Sequence, residues 1–244
     1  MRDNPLKSVK AIQSDMILKY KQDFKIIDIK QNILSENKDQ ANIIRQNLAL
    51  KNIFMVNVMA SPGAGKTSLI IETIKRLKDK LRIAVVEGDI ESVVDSEKII
   101  AQGIPAVQIR TGGACHLDAP MVSAAMDQLN LDLYDLLFIE NIGNLVCPAE
   151  FDIGSDLQVM LLSIPEGDDK ILKYPLMFSV CDVLLVNKTD YLFMSDFNRE
   201  LLHRRAKELN PGIKIFDISC KTGEGVNDWS NWLMKKIESK LTSL

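Results

Sequence analysis

The chain has 244 residues, 46% of them apolar, with 30 basic against 33 acidic side chains and a formal net charge of −3. That length suits one α/β core rather than two full domains, and the charge balance lacks the basic excess of a nucleic-acid binder. No run approaches the roughly 20 apolar residues of a membrane span, and the N-terminus has charges without an apolar leader. A cytoplasmic protein without membrane partners is expected, in which Cys115, Cys147, Cys181 and Cys220 are thiols or ligands rather than staples.

Residues 1–23 mix Lys, Asp and Gln with isolated apolar residues and read as a loosely attached arm or short helix. Phe24 to Ile29 suggests an edge strand, and Ile33 to Leu50 a charged helix with Ile33, Ala41, Ile44 and Leu48 on or near one face. Residues 1–50 are thus an arm and a helix packed on the main domain, 51–244.

Met55 to Ala60 is an apolar strand that runs into Ser61-Pro62-Gly63-Ala64-Gly65-Lys66-Thr67 and then a helix, the sequence of a phosphate-binding loop. Gly63 and Gly65 let the backbone curl so that successive N–H groups point at phosphate oxygens, and the helix start adds its positive dipole end. Lys66 would reach the β- and γ-phosphates, and the Thr67 hydroxyl would ligate Mg²⁺. Ala64 and Ser68 join the nucleotide-binding set. Ala60 stands where G-x-x-x-x-G-K-[ST] has its first glycine, and its small Cβ is expected to be tolerated.

After a helix from Thr67 to Leu81, Arg82 to Glu87 reads as a buried strand that places Asp89 at its carboxyl end, where open α/β sheets hold their ligands. Asp95 is read as a surface acid on a helix stopped by Gly103. Ala106 to Ile109 is a strand, followed by the loop from Thr111 to Asp118 and a helix to about Leu129. Leu136 to Ile139 is a buried strand delivering Glu140-Asn141-Ile142-Gly143. A strand from Leu157 to Ile164, a helix from Tyr174 to Cys181 and a strand from Val183 to Val186 follow. A helix from Asp196 to Leu209, a strand from Lys214 to Ile218 and a helix from Val226 to Leu241, with Trp229 and Trp232 packing on the sheet, complete the chain. Alternating strands and helices predict a three-layer α/β P-loop NTPase domain, a mostly parallel central sheet with helices on both faces.

Asn187-Lys188-Thr189-Asp190 matches the N-K-x-D loop of GTPases and follows a buried strand. Asp190 can accept from guanine N1–H and its 2-amino group, a donor pair that adenine lacks. Asn187 would hold the loop and the base edge, the Lys188 stem would lie along the ring, and Ser219-Cys220-Lys221 resembles the S-A-K loop over the guanine oxygen. Glu140 to Gly143 falls where GTPases carry D-x-x-G. Glu140 or Asp89 would then bind Mg²⁺ or orient water, and the Gly143 N–H would contact the γ-phosphate and release it on hydrolysis. Slow intrinsic hydrolysis of GTP to GDP is expected, because nothing stands out as a water positioner and Arg110 reads as a solvated loop arginine.

Cys115-His116 and Cys147 lie in loops after predicted strands, and two thiolates with one imidazole suit Ni²⁺ or Zn²⁺. Water or a second subunit would complete the coordination. Cys147 lies four residues after Gly143, so a γ-phosphate drawing on Gly143 would shift Cys147 relative to Cys115 and His116. His203 and Cys181 read as structural.

In order, G-K-T, E-G-D, C-H-L-D-A, E-N-I-G-N-L-V-C-P-A-E-F-D and N-K-x-D resemble the HypB family of nickel-inserting hydrogenase maturation GTPases. That family belongs to the signal-recognition-particle and nitrogenase-iron-protein class, and the resemblance runs from about residue 24 to the C-terminus, including Ser35-Glu36-Asn37 through Arg45. It implies nickel at Cys115, His116 and Cys147, a homodimer in the GTP state, and nickel-delivery proteins and the hydrogenase large subunit as partners. The urease accessory GTPases are similar in their nucleotide motifs but carry Cys-Pro-His at the metal. A metal buffer that uses nucleotide only for structure is the alternative from another class.

Overall fold

The apolar runs assemble into one sheet. A computed structural model describes residues 29–89 and 99–242, with side chains for 33–88 and 99–240. The arm at 1–23, the edge strand expected from Phe24 and the acid Asp95 lie outside the described residues, although Ile29 opens a helix rather than closing a strand. Strands β1 (Phe54–Ala60), β2 (Ile83–Asp89), β3 (Ala106–Arg110), β4 (Leu136–Glu140), β5 (Leu157–Ser163), β6 (Val183–Asn187) and β7 (Lys214–Asp217) lie in the order β3-β2-β4-β1-β5-β6-β7. Every pairing is parallel, so the sheet is fully rather than mostly parallel. From β1 the chain winds outward in both directions, which opens a crevice at the carboxyl ends beside it.

Helices cover both faces because the strands alternate. Phe54, Val56, Val58 and Ala60 of β1 share one cluster with Leu69, Ile70 and Ile74 of α2 (Lys66–Leu77), whereas Met55 and Met59 face the other side. Across β1's first face from α2 lies the terminal helix. Its Val226, Trp229, Leu233 and Ile237 recur at helical spacing and are buried. The Trp229 Nε1–H donates to Thr73 Oγ1 at 3.0 Å, and Trp232 stacks on Trp229 with centroids 5.9 Å apart.

On the opposite face lie α1 (Ile29–Leu50) and α3 (Ala119–Met126), whose buried Ala41, Ile44, Leu48, Val122 and Ala125 share a cluster with Ala84 and Val86 of β2. The chain divides into two compact units, 1–35 and 36–244, and the first is described only through residues 29–35 of α1. Ile33, expected on or near one face with Ala41, Ile44 and Leu48, is exposed where those three are buried. The short helices α4 (Cys147–Glu150) and α5 (Lys170–Lys173) precede α6 (Pro175–Val180) and α7 (Arg199–Leu209), which bury Met177, Phe178, Leu202 and Ala206 over β5 and β6. The terminal helix is α8 (Val226–Thr242). No described helix is long and apolar enough to cross a membrane.

Candidate nucleotide and metal site

The phosphate loop leaves β1 at Ala60, whose side chain is fully buried, and enters α2 through Gly65 in the left-handed region at φ 105°. A side chain on Gly65 would also be blocked, since a Cβ there would lie 2.6 Å from Asn187 Nδ2. The Asn187 amide donates to Ala64 O at 2.9 Å and accepts from the Cys220 N–H at 3.1 Å. Both ends of that side chain therefore tie together the phosphate loop and the loop after β7. Lys188 behaves alike, its ammonium donating to Gly63 O at 2.7 Å.

Asp190 Oδ1 accepts from the Ser219 hydroxyl at 2.7 Å, and Lys221 Nζ lies 3.8 Å from Oδ2. The Ser219 bond thereby holds the carboxylate in one orientation at the wall of a cavity. That cavity, about 220 Å³, is lined by Gly65, Ser68, Asn187, Lys188, Asp190, Tyr191, Cys220 and Lys221. Tyr191 escaped the sequence reading because nothing in its neighbourhood marks it; its ring lies under Lys221 at 5.9 Å. Cys220 packs into this wall, and burial first, with Glu72 second, pushes its thiol up to about 12.

At the phosphate end, the Thr67 hydroxyl donates to Glu140 Oε1 at 2.9 Å, and both residues are buried. Glu140 is in register with Glu87 on β2, itself buried, so two carboxylates sit side by side on one face of the sheet. Adjacent buried acids favour a cation or a shared proton. Oxygen donors such as these carboxylates and the Thr67 hydroxyl are the kind that a hard divalent ion such as Mg²⁺ takes. Glu87 was missed, although an acid inside an apolar strand run is a visible signal. Asp89 ends β2, beside Arg110 in register, and its side chain lies outside the described residues. Arg110 is exposed, as a solvated arginine should be. Gly143 abuts the phosphate loop so closely that a Cβ would meet Pro62 Cγ and N at 2.9 Å.

Cys115, His116 and Cys147 come together across 32 residues of chain, their ligand atoms all within 4.8 Å of one another. The two sulfurs are 2.8 Å apart, and Cys115 Sγ lies 3.7 Å from His116 Nδ1. Phe151 covers the imidazole, with ring centroids 3.9 Å apart, and burial lowers the His116 pKa, favouring the neutral ring that binds metals. The Cys115 contact, followed by burial, raises the Cys147 thiol, as two sulfurs competing for one proton would. From behind, Asn37 of α1 accepts from the Ala119 N–H and donates to Asp152 O, each at 2.7 Å, bracing both metal-bearing loops. His203 instead pairs with Asp217 at 2.9 Å, and Cys181 is buried with its thiol raised by desolvation, so both are structural.

Residues 54–217 match the family model described as CobW/HypB/UreG, nucleotide-binding domain. Hydrogenase maturation factor HypB of Escherichia coli (strain K12) is 45% identical over 209 residues, covering 86% of this chain and 72% of that protein. The chain belongs to the HypB group of this family. Among solved HypB structures, that of Helicobacter pylori in complex with nickel superposes with a TM-score of 0.80 at 36% identity, covering 84% of this chain and 97% of that one. The HypB structure from Archaeoglobus fulgidus gives 0.78 at 38% identity, covering 83% and 99%. HypB membership makes this a nucleotide-binding domain of the GTPase kind, and its fold agrees with the parallel sheet described above.

Proposed function

We propose that the chain is a GTP-hydrolysing metallochaperone that carries nickel toward the hydrogenase active site. The observation that carries this reading is the three-residue Cys/His cluster, two members on the loop after β3 and Cys147 at the start of α4, in a HypB-family chain whose Helicobacter pylori relative was solved with nickel. Nickel is the cargo, held by the Cys115 and Cys147 thiolates and the His116 imidazole; Zn²⁺ suits the same donors.

In this reading Gly63 to Ser68 cradle the phosphates and Lys66 neutralises charge that grows on the γ-phosphate. Asp190, fixed by Ser219, reads guanine. Glu140 and Asp89 serve the Mg²⁺ and the attacking water, and a bound Mg²⁺ would supply charge neutralisation at the β- and γ-oxygens. Gly143, closed against Pro62, senses the γ-phosphate. When it releases, the segment that bears Cys147 moves, and the cargo site changes shape. GTP-state dimerisation would supply further ligands, and nickel-delivery proteins and the hydrogenase large subunit would be partners in the cytoplasm. Intrinsic turnover is slow.

The test is anaerobic nickel titration with GDP and with a non-hydrolysable GTP analogue, repeated with Cys147→Ala. Tight stoichiometric binding that depends on nucleotide and is lost in the variant is expected. Binding indifferent to nucleotide would favour a metal buffer instead, and binding unaffected by Cys147→Ala would remove the assigned ligands.

A further inference from the structure

A row of amide side chains runs beneath the site and belongs to neither the nucleotide chemistry nor the metal ligands. Asn57, in the middle of β1, and Asn141, directly after β4, are both fully buried. Asn141 Nδ2 donates to Asn57 Oδ1 at 3.2 Å, and Asn57 Nδ2 donates to Gln158 Oε1 on β5 at 2.7 Å. The Asn141 backbone N–H donates to Val58 O at 3.0 Å. By backbone and side chain alike, Asn141 is fastened to the strands. Burying such amides costs free energy unless they are hydrogen-bonded, so a strand core that contains them is committed to one arrangement.

The other end of Asn141 faces the metal loop. Its Oδ1 accepts from the Leu117 N–H at 3.1 Å and from the Ile142 N–H at 2.9 Å. Leu117 follows His116 and is itself pinned, because its side chain fills the space in which a Cβ on Gly88 would come within 2.8 Å. Cys115 and His116 are therefore referred to the immobile sheet through Leu117. Cys147 is referred to the switch, four residues beyond Gly143. A contrary link exists: Asn144 Nδ2 donates to Cys115 O at 3.1 Å, and its Oδ1 accepts from the Val146 N–H at 2.9 Å, so Asn144 couples Cys115 to the moving segment.

We propose that Asn141 is the positioning residue that makes the metal site respond to nucleotide, by anchoring the Cys115–His116 loop to the sheet while Cys147 travels with Gly143. This rests on the reading of Gly143 as the γ-phosphate sensor, with the segment after it as the part that moves. Two ligand groups change separation only if one is held while the other moves. With the anchor removed, the Asn144 link lets Cys115 follow Cys147, and the ligand set moves as a body with its geometry preserved. Asn141 is the fixed side of the hinge.

The experiment measures nickel affinity of the full chain by anaerobic titration in the GDP and GTP-analogue states, with thermal unfolding in parallel. A wild-type affinity ratio of about tenfold lies within the usual range of allosteric couplings. Asn141→Ala is expected to bring that ratio within about twofold of unity while each state still binds nickel, and Asn144→Ala is expected to keep or enlarge it. Should Asn141→Ala fold poorly, Asn141→Ser, too short to reach Leu117, carries the same expectation. A purely structural role would weaken both states equally and leave the ratio unchanged, which would overturn the proposal. An Asn144→Ala ratio that collapses as fully as that of the Asn141 variant would overturn it too. A wild-type ratio of one would remove the metal-coupled switch itself, and this inference with it.

Discussion

Replacing Gly143 by alanine should disable hydrolysis by a route read directly from the geometry. The added Cβ would stand 2.9 Å from both Pro62 Cγ and Pro62 N and 3.0 Å from Pro62 Cα. Backbone atoms of the phosphate loop cannot yield as the far end of a flexible side chain can, so the switch must withdraw instead. Inserting a methyl group where there is no space costs about 1–3 kcal/mol. If that cost falls on the closed arrangement required for reaction, the rate drops roughly 5- to 160-fold at 1.36 kcal/mol per decade. Guanine is read some distance away, at Asp190, so GDP affinity should change by no more than about threefold, within the cost of a minor rearrangement. Single-turnover GTP hydrolysis with saturating enzyme, beside a fluorescent GDP titration, separates the two effects. Hydrolysis within twofold of wild type in a normally folded variant would show that closure of Gly143 on Pro62 plays no part in the reaction.

Asp190→Asn should cut the preference for GTP over ATP, expected to exceed about a hundredfold in the wild type, and admit xanthosine triphosphate, because the carboxylate that matches the guanine donors is gone; nucleotide competition checks this. Lys66→Ala should abolish hydrolysis with an unchanged unfolding transition, and Glu140→Ala or Asp89→Ala should slow it. Wild-type turnover in both acid variants would show that neither serves the reaction. Thr73→Val strips the buried Trp229 N–H of its acceptor at 3.0 Å and should destabilise by about 1–3 kcal/mol. A chemical-denaturation midpoint equal to that of the wild type would contradict it.

The strands were readable because a parallel sheet covered on both faces needs near-continuous apolar runs, and β4 and β6 are apolar over their first four residues. The phosphate and N-K-x-D loops were readable because backbone chemistry restricts which residues can stand there. Register was not. Nothing local to Glu87 announces that it will lie beside Glu140, a fact set by how β2 slides along β4. Nor does anything local to Asn187 and Lys188 announce that their side chains span to Ala64 and Gly63, more than 120 residues away in the chain. Cys115, His116 and Cys147 were legible as a group through the scarcity of histidine, but Phe151 over the imidazole and Asn37 behind the loops were not, since an aromatic or an asparagine carries no such signal.

Asn37 reaches across to Ala119 and Asp152 from a helix that precedes the first residue matched by the family model, Phe54. A chain trimmed to begin at residue 51 would keep every group that touches guanine, phosphate or magnesium in the reading above. It would also lose the back wall of the cargo cradle, together with Ala41, Ile44 and Leu48 from the packing on that face. Such a minimal GTPase would report nucleotide chemistry faithfully and nickel handling falsely, because the smallest unit that reads GTP is smaller than the smallest unit that holds the metal.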